Sequence, residues 1–194
     1  CLLCILAFRK EILEDLHTFR LTVQPARIVI SVVLLLLFAY GTSTGIIHYD
    51  TSLYHAQSIR WIEEYGAVLG LGNLHSRLAY NSAAFCLSAF YSMSFLGGQS
   101  YHCCAGFLAY LLALVCSEMF SKKRERKPLL SDFARIVSIY YLLMVFDEMV
   151  SPASDYFMVF LVFYIVIRWL ELIENKENSY FPYALLSLLC LVVL

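Results

Sequence analysis

Residues 28–47 read IVISVVLLLLFAYGTSTGII, a run without a charged side chain. A helix needs about 20 mostly apolar residues to cross the hydrocarbon core of a bilayer, which is roughly 30 Å thick. The run meets that requirement, and it does not stand alone. Comparable apolar stretches follow at residues 79–96, 101–120, 133–150 and 156–173, and another begins near residue 181. This pattern predicts an all-α protein built as a polytopic transmembrane helix bundle.

The composition of the whole chain favours the same class. Of its 194 residues, 61% are hydrophobic and 15% are charged, whereas a soluble domain has about 45–50% and about 25%. The mean hydropathy is +0.72. A formal net charge of −1 gives no electrostatic reason to expect a nucleic-acid partner. Because both ends lie inside apolar runs, we expect the chain to be a segment of a longer protein.

Basic residues predict the orientation of the spans, since Lys and Arg near span ends stay on the cytoplasmic side. They occur in the amphipathic stretch 9–27 and in the KKRERK run at residues 122–127. Two cytoplasmic stretches must be separated by an even number of crossings, so one of the three apolar stretches between them does not span. Residues 79–96 contain Asn81, Ser82, Ser88 and Ser92. We therefore predict that they form a helix lying in the outer leaflet.

The resulting organisation has two parts. Residues 1–27 are the end of a preceding apolar segment and a cytoplasmic amphipathic stretch. Residues 28–194 are the transmembrane module, with spans at 28–47, 101–120, 133–150, 156–173 and 181–194. An extracytoplasmic excursion, residues 48–100, carries juxtamembrane helices predicted at 51–65 and 79–96. No charged residue lies in the middle of a span, so neither a proton relay nor a voltage sensor is expected.

Two acids at the outer surface are the candidates for a chemical role. Asp50 lies where the first span leaves the membrane, and a carboxylate there is placed to act as a general base. Asp50 also immediately precedes a predicted helix, and position alone favours a simple N-cap. Asp155 begins the span 156–173 and shares the outer face by parity, although it could equally cap its helix. Together the acids could flank a phosphate-linked leaving group, directly or through a divalent cation bound to both.

Other polar residues of the excursion complete the set of substrate-binding candidates. Arg60 and Arg77 could pair with a phosphate or pyrophosphate. An arginine at a membrane interface also commonly reaches for lipid headgroups, which is an equally good account of each. His55, His75 and Asn73 are the remaining candidates, and the separation of the two histidines does not correspond to a metal-ligand spacing.

The segments HYDTSLYHAQSIRWIEEYG, with Asp50, and SPASDYFMVFLVFYIVIRWLE, with Asp155, resemble the GT-C superfamily of membrane glycosyltransferases. That superfamily has an acid just after the first span, an outer loop with juxtamembrane helices and a second acid at a later outer turn. The resemblance covers residues 27–171. The outer-loop segment that contains Asp50 also resembles a segment of bacterial multi-pass membrane proteins. The chain has Asp-Thr where many members have Asp-Glu, and it has no Lys-Pro-Pro in the outer loop.

The resemblance implies an enzyme of a bacterial inner membrane that transfers a sugar from a polyprenyl-phosphate carrier to a glycan or lipid acceptor. Asp50 would activate the acceptor, and Asp155 would hold the donor phosphate or a metal ion. Arg60 and Arg77 would contact phosphate. The alternatives are a transporter or flippase for a lipid or glycan, with the excursion as its gate, and a scaffold subunit without catalytic activity.

Overall fold

The computed structural model describes residues 9, 25–44, 47–80, 82–97, 102–120 and 129–193. Within these residues the protein is all-helical and has no strand, so the all-α prediction is confirmed for them. The KKRERK run and most of the predicted cytoplasmic stretch 1–27 lie outside the described residues. The α-helices are α1 (Pro25–Ser43), α2 (Ala56–Tyr65), α3 (Ala83–Phe90), α4 (Cys104–Ser117), α5 (Leu130–Met144), α6 (Ser154–Glu174) and α7 (Tyr180–Val193).

The chain divides into two compact units, Cys1–Leu34 and Leu35–Leu194. The second unit contains the candidate site and the charged clusters described below. Within it, α4, α5 and α6 pack against one another pairwise, and α7 packs against α6. The short helices α2 and α3 pack together, and α3 also contacts α6. The helices of the predicted excursion therefore lie against the longer helices of the same unit.

Two of the described helices, α1 and α6, have the length and composition to cross a membrane. They contain 19 and 21 residues, and their most apolar windows have mean hydropathies of 1.9 and 2.0. Shorter apolar helices occupy Ala83–Leu96, Cys104–Phe120 and Tyr180–Val193. The structure thus supports helices able to enter a membrane, and the arrangement with five spans stays a prediction.

The span predicted at residues 133–150 is a shorter helix that starts earlier. At its start, the backbone N–H of Leu129 donates a 3.4 Å hydrogen bond to the carboxylate of Asp132, which satisfies one donor near the helix end. At its end, the chain leaves the helix at Val145 and forms a 3₁₀ turn, Phe146–Glu148. Hydropathy alone did not locate the end of the helix, because Val145, Met149 and Val150 on either side of the acidic turn are apolar.

The segment after α1 forms a helix in two pieces, a π-helix (Thr51–His55) that continues directly into α2. The side chain of Ile59 is fully buried on the inner face of α2, which stabilises its packing by about 1.5–3 kcal/mol. Together with Tyr54 and Phe85 it forms a small core between α2 and α3. Gly66 ends α2 with φ +67°, a conformation that glycine adopts without steric cost.

The C-terminal end of α1 approaches α4 closely at Gly106. A Cβ atom on this glycine would clash with Cγ2 of Thr42, so a larger residue fits only if that side chain rotates or the helices separate. Nearby, the rings of Phe38 and Phe146 pack with their centroids 6.0 Å apart. Small residues commonly permit such close approach between helices in membranes. This contact holds the C-terminal end of α1 against α4.

Candidate functional site

The segment that carries Asp50 is anchored to the loop before α6. The backbone N–H of His48 donates a 2.7 Å hydrogen bond to the hydroxyl of Ser151, which is fully buried. Nδ1 of the His48 ring accepts from the backbone N–H of Asp50 at 3.2 Å. Asp155 follows shortly after Ser151, in the first turn of α6. These contacts place both predicted acids at the same end of α6.

Asp50 occupies the N-cap position of the π-helix but does not cap it. Its side chain makes no capping hydrogen bond, and its backbone is already helical, with φ −68° and ψ −19°. The carboxylate instead forms an ion pair with Arg77, and the Asp50 side chain is 26% exposed. The capping role that position alone favoured is therefore wrong. A π-helix is rare and frequently occurs at functional sites.

Arg77 is held in front of Asp50 by a short 3₁₀ turn, Ser76–Ala79. His75 caps this turn, because its Nδ1 accepts a 3.2 Å hydrogen bond from the backbone N–H of Arg77. The guanidinium lies over the ring of Tyr54, with its central carbon 5.5 Å from the ring centroid. The side chain remains 38% exposed, so a solute can reach it. An arginine held by one carboxylate and one aromatic face is a typical receptor for a phosphate group.

Tyr54 and His55 form the inner wall of the site. Their ring centroids are 4.3 Å apart, and both rings also contact Phe85 of α3. Burial, followed by the charge of Asp50, raises the pKa of the Tyr54 hydroxyl above its usual value. Burial lowers the pKa of His55, although the charges of Asp50 and Asp155 act in the opposite direction. The imidazole of His55 is therefore neutral at neutral pH.

Two buried polar atoms of this segment have no hydrogen-bond partner among the described residues. They are Nδ1 of His55 and the hydroxyl oxygen of Thr51, whose residues are only 3% and 8% exposed. A buried polar group without a partner costs about 1–3 kcal/mol. Unsatisfied groups of this kind beside a π-helix indicate that the segment is not optimised for stability alone.

Asp155 lies in the first turn of α6, where a negative charge interacts favourably with the helix dipole. It does not cap the helix, since the N-cap residue is Ala153. Asp155 is exposed, and its charge raises the pKa of both Tyr54 and His55. The charges of Asp50 and Asp155 therefore act on the same two rings. We call Asp50, Tyr54, His55, Arg77 and Asp155 the acid–arginine site.

Three predicted residues do not join this site. Arg60 forms an ion pair with Glu64 one turn along α2, with Nε and Oε1 2.7 Å apart, and its side chain is 66% exposed. Asn73 is an exposed residue of the 3₁₀ turn Leu71–Asn73. His75 is also exposed, and the hydrogen bond that the structure shows for it is the one that caps the turn before Arg77. His75 therefore acts on the site through the backbone of Arg77.

The proposed divalent cation has little support from the ligands present. In the part of the chain that the structure describes, no group of three or more His, Cys, Asp or Glu side chains could hold a metal ion. Asp50 and Asp155 are the two carboxylates available, and Arg77 already pairs with the first. These residues do not fit a cation site made by the protein alone, so no step below passes through a cation.

The sequence analysis did not identify Tyr54, Ser151 or His48 as parts of the site. The ring of Tyr54 lies under the guanidinium of Arg77 and packs edge-on against Tyr80, with the ring centroids 5.7 Å apart. The spacing of four residues between Asp50 and Tyr54, which places them on one side of a helix, was an available signal. Ser151 gave no signal, because its partner is 103 residues away in the sequence.

An apolar cavity of about 690 Å³ lies between α1, α3 and α4. Its lining includes Phe38, Leu87 and Phe107. The hydroxyls of Thr42 and Ser43, also on its wall, donate to carbonyls of their own helix, so they can act toward a guest only as acceptors. Leu87 of α3 lines the cavity, whereas Phe85 of the same helix packs against His55. The cavity therefore adjoins the helix that supports the acid–arginine site.

A second charged cluster, the Arg135 network, joins α4, α5 and α6 near the other end of α6. Arg135 is fully buried and forms ion pairs with Glu171 and with Asp132, the latter at 3.1 Å. It also donates to the hydroxyl of Ser131 at 3.1 Å and to the carbonyl of Val115 at 3.3 Å. Each of the three guanidinium nitrogens thus donates to an acceptor of the same chain.

The remaining members of the Arg135 network are equally well paired. Arg168 donates two hydrogen bonds to Glu118, at 3.1 and 3.2 Å, and one to Glu171 at 2.7 Å. Ser131 donates to Glu174 through both its backbone N–H and its hydroxyl. The sequence analysis missed the network, although Arg135, Arg168 and Glu171 lie within predicted spans, because all three lie toward the ends of their spans.

The fold and the site define an all-helical protein with two helices of membrane-spanning length and an acid–arginine site at the start of one of them. The chain belongs to the family described as Domain of unknown function (DUF8201), which it matches over residues 1–194. No curated protein and no solved structure matches the chain.

Proposed function

We propose that the protein is a membrane-embedded glycosyltransferase, which moves a sugar from a lipid-phosphate carrier to a cell-envelope acceptor on the extracytoplasmic face of a bacterial inner membrane. The observation that carries this proposal is the pairing of Asp50 with Arg77 beside Asp155. One site then contains a carboxylate able to accept a proton and a guanidinium able to bind a phosphate. Glycosyl transfer from a phosphate carrier requires both groups close together.

In the proposed reaction, a hydroxyl oxygen of the acceptor attacks the anomeric carbon of the donor sugar. The bond between that carbon and the phosphate oxygen breaks, and the electron pair leaves with the phosphate. Asp50 takes the proton of the attacking hydroxyl, and a general base of this kind typically contributes about 10²–10⁴-fold to the rate. Arg77 stabilises the negative charge that develops on the leaving phosphate.

Asp155 suits a different role from the one that the resemblance implies. Without a cation, a carboxylate next to the donor phosphate would repel it. The Asp155 side chain is exposed at the start of α6 and can accept hydrogen bonds from sugar hydroxyls. We therefore assign Asp155 to the orientation of the sugar, while Arg77 holds the phosphate.

The surfaces of α1 and α6 support the placement in a membrane. Met158, Val162 and Val166 follow one another at four-residue intervals along α6 and are all partly exposed. On α1, Val29, Val33 and Leu36 are 61%, 57% and 65% exposed. Apolar faces of this kind are favourable against lipid. The cavity beside α3 would accommodate part of the apolar chain of the carrier.

The test is a comparison of Asp50→Asn with Asp147→Asn in the full-length protein, expressed at matched levels in its own cells. Asp147 is an exposed acid in the turn before α6 and is not part of the acid–arginine site. We expect Asp50→Asn to abolish one class of envelope glycan, measured by compositional analysis, and Asp147→Asn to leave that glycan unchanged. An unchanged glycan with Asp50→Asn would contradict the proposal and favour the scaffold alternative.

A further inference from the structure

Arg77 differs from the other arginines described in the second unit in its ion-pair partners and surroundings. Arg135 and Arg168 are each held by several carboxylates, and Arg60 is occupied by Glu64 on the exposed side of α2. Arg77 contacts a single carboxylate, that of Asp50, through one of its guanidinium nitrogens, Nη1. Among the arginines described in the second unit, Arg77 combines a single carboxylate partner with a position against the Tyr54 ring and beside the two acids of the site.

The chemistry of guanidinium favours an exchange of partners at this position. A guanidinium carries five N–H donors in a planar fork and binds phosphate through two parallel hydrogen bonds. In the structure, Asp50 accepts from only one of these nitrogens, while Tyr54 covers one face of the group. A phosphate group with more charge and more acceptor oxygens can take the whole fork. Asp50 loses its partner when the phosphate takes Nη1 as well, and the repulsion between the two anions favours that loss.

We propose that a phosphate-bearing ligand displaces Asp50 from Arg77, so that the ion pair of the free protein masks the base and the bound donor exposes it. The part of this inference that concerns the base rests on the proposed function, whereas the exchange of anions does not. Binding would then be ordered, with the phosphate-bearing donor first and the acceptor second. This order would limit deprotonation of other hydroxyl compounds by Asp50 before a donor has arrived.

The exchange predicts effects of opposite sign for the two partners, which can be measured with inorganic pyrophosphate as the probe. Isothermal titration calorimetry on the purified full-length protein gives the affinity of each variant. We expect Arg77→Gln to weaken binding at least about tenfold. We expect Asp50→Asn to strengthen binding by up to about fivefold, the factor that corresponds to the loss of one partly exposed ion pair.

The matched control is Arg60→Gln, because Arg60 is an arginine of the same segment that is paired elsewhere. Its pyrophosphate affinity should equal that of the wild-type protein. Arg77→Lys keeps the charge but loses the planar fork, so it should bind between the wild-type protein and Arg77→Gln. This second variant also shows that a loss in Arg77→Gln is not caused by unfolding, provided that both variants melt at similar temperatures.

Weaker or unchanged pyrophosphate binding in Asp50→Asn would overturn the exchange, since Asp50 would then not compete for Arg77. Absence of binding to the wild-type protein would overturn it as well. The result is separate from the test of the proposed function. If the affinities follow the exchange but Asp50→Asn leaves the envelope glycan intact, the phosphate site stands and the glycosyltransferase does not. If the glycan is lost and the affinities do not change, the opposite holds.

Discussion

The two charged clusters at the ends of α6 have the same kinds of residues but opposite degrees of pairing. Asp155 and Glu171 are separated by about 24 Å along the helix at 1.5 Å per residue. In the Arg135 network, two arginines are surrounded by carboxylates, a hydroxyl and a carbonyl. In the acid–arginine site, a single arginine contacts one of two acids, and nearby polar atoms of Thr51 and His55 have no partner.

This difference indicates different roles for the two clusters. A buried charge is tolerated when it is paired and hydrogen-bonded, and a network of this kind specifies how helices pack. The Arg135 network holds α4, α5 and α6 together, and both of its arginines are bound by several acceptors of the same chain. The acid–arginine site sacrifices stability for accessible charge, which is typical of binding and catalytic sites. Substitutions in the two clusters should therefore differ in their effects on stability and on ligand binding.

Arg135→Leu should cause the largest loss of stability. Removal of the fully buried guanidinium leaves Glu171 and Asp132 without their partner, and breaking a buried pair in this way typically costs about 3–5 kcal/mol. The measurement is thermal unfolding of the full-length protein in detergent, with Arg60→Leu as the exposed control. A loss below about 1 kcal/mol would mean that Arg135 is not the centre of a structural network.

A pair of hydroxyl deletions should separate the two clusters by the size and sign of their effects. Ser131→Ala removes a hydroxyl that donates to Glu174 and accepts from Arg135, and it should destabilise the protein by about 1–3 kcal/mol. Thr51→Val replaces a buried hydroxyl that has no partner by a methyl group of similar shape, and it should be neutral or stabilising. Chemical unfolding at one pH measures both variants. A larger loss for Thr51→Val than for Ser131→Ala would contradict the comparison.

Acid should weaken the acid–arginine site through His55. Burial holds the pKa of folded His55 below the value of 6.5 that it has when unfolded, so the unfolded chain binds a proton first as the pH falls. The contribution of neutral His55 to stability is therefore present above pH 6.5 and declines below it, until the pH falls below the pKa of folded His55. We expect the melting temperature of the wild-type protein to fall more steeply below pH 6.5 than that of His55→Gln.

The control for this titration is His75→Gln, since His75 is exposed and lies outside the ring wall formed by Tyr54 and His55. Its pH profile should follow the wild-type curve. Identical curves for the wild-type protein and His55→Gln would show that His55 does not contribute to the acid sensitivity. Tyr54, His48 and Phe85 surround the ring, and Asp50 and Asp155 act on it electrostatically, so the profile reports the whole wall.

Arg77→Gln should have only a small effect on stability. The ion pair with Asp50 is partly exposed on both sides, and such pairs contribute about 0–1 kcal/mol. The same substitution should nevertheless abolish the proposed transfer activity, because the leaving phosphate loses its counter-charge. Melting temperature and envelope glycan content measured on one preparation test both statements. A loss of stability comparable to that of Arg135→Leu would make Arg77 a structural residue.

The sequence was informative about helices and about which acids to examine. Apolar runs located α1 and α6, and the parity of crossings suggested that Asp50 and Asp155 share a face. Sequence alone did not separate Arg60 from Arg77, although Glu64 at a four-residue spacing was a sign that Arg60 is paired within its own helix. The partners of Arg135 could not be predicted, because Glu118 and Glu171 come from other helices and their pairing depends on how those helices pack.

The position of the site at a membrane surface is tested most directly by sidedness labelling of single cysteines in the full-length protein. Tyr49 and Glu177 are exposed near the two ends of α6, and Ser154 is its first residue. After replacement of the native cysteines, each position is changed to Cys and treated with a membrane-impermeant thiol reagent on intact cells. Our account predicts that Tyr49→Cys and Ser154→Cys react and that Glu177→Cys does not. Labelling of Tyr49→Cys and Ser154→Cys from opposite sides would contradict it, because Asp50 and Asp155 could not then share one site.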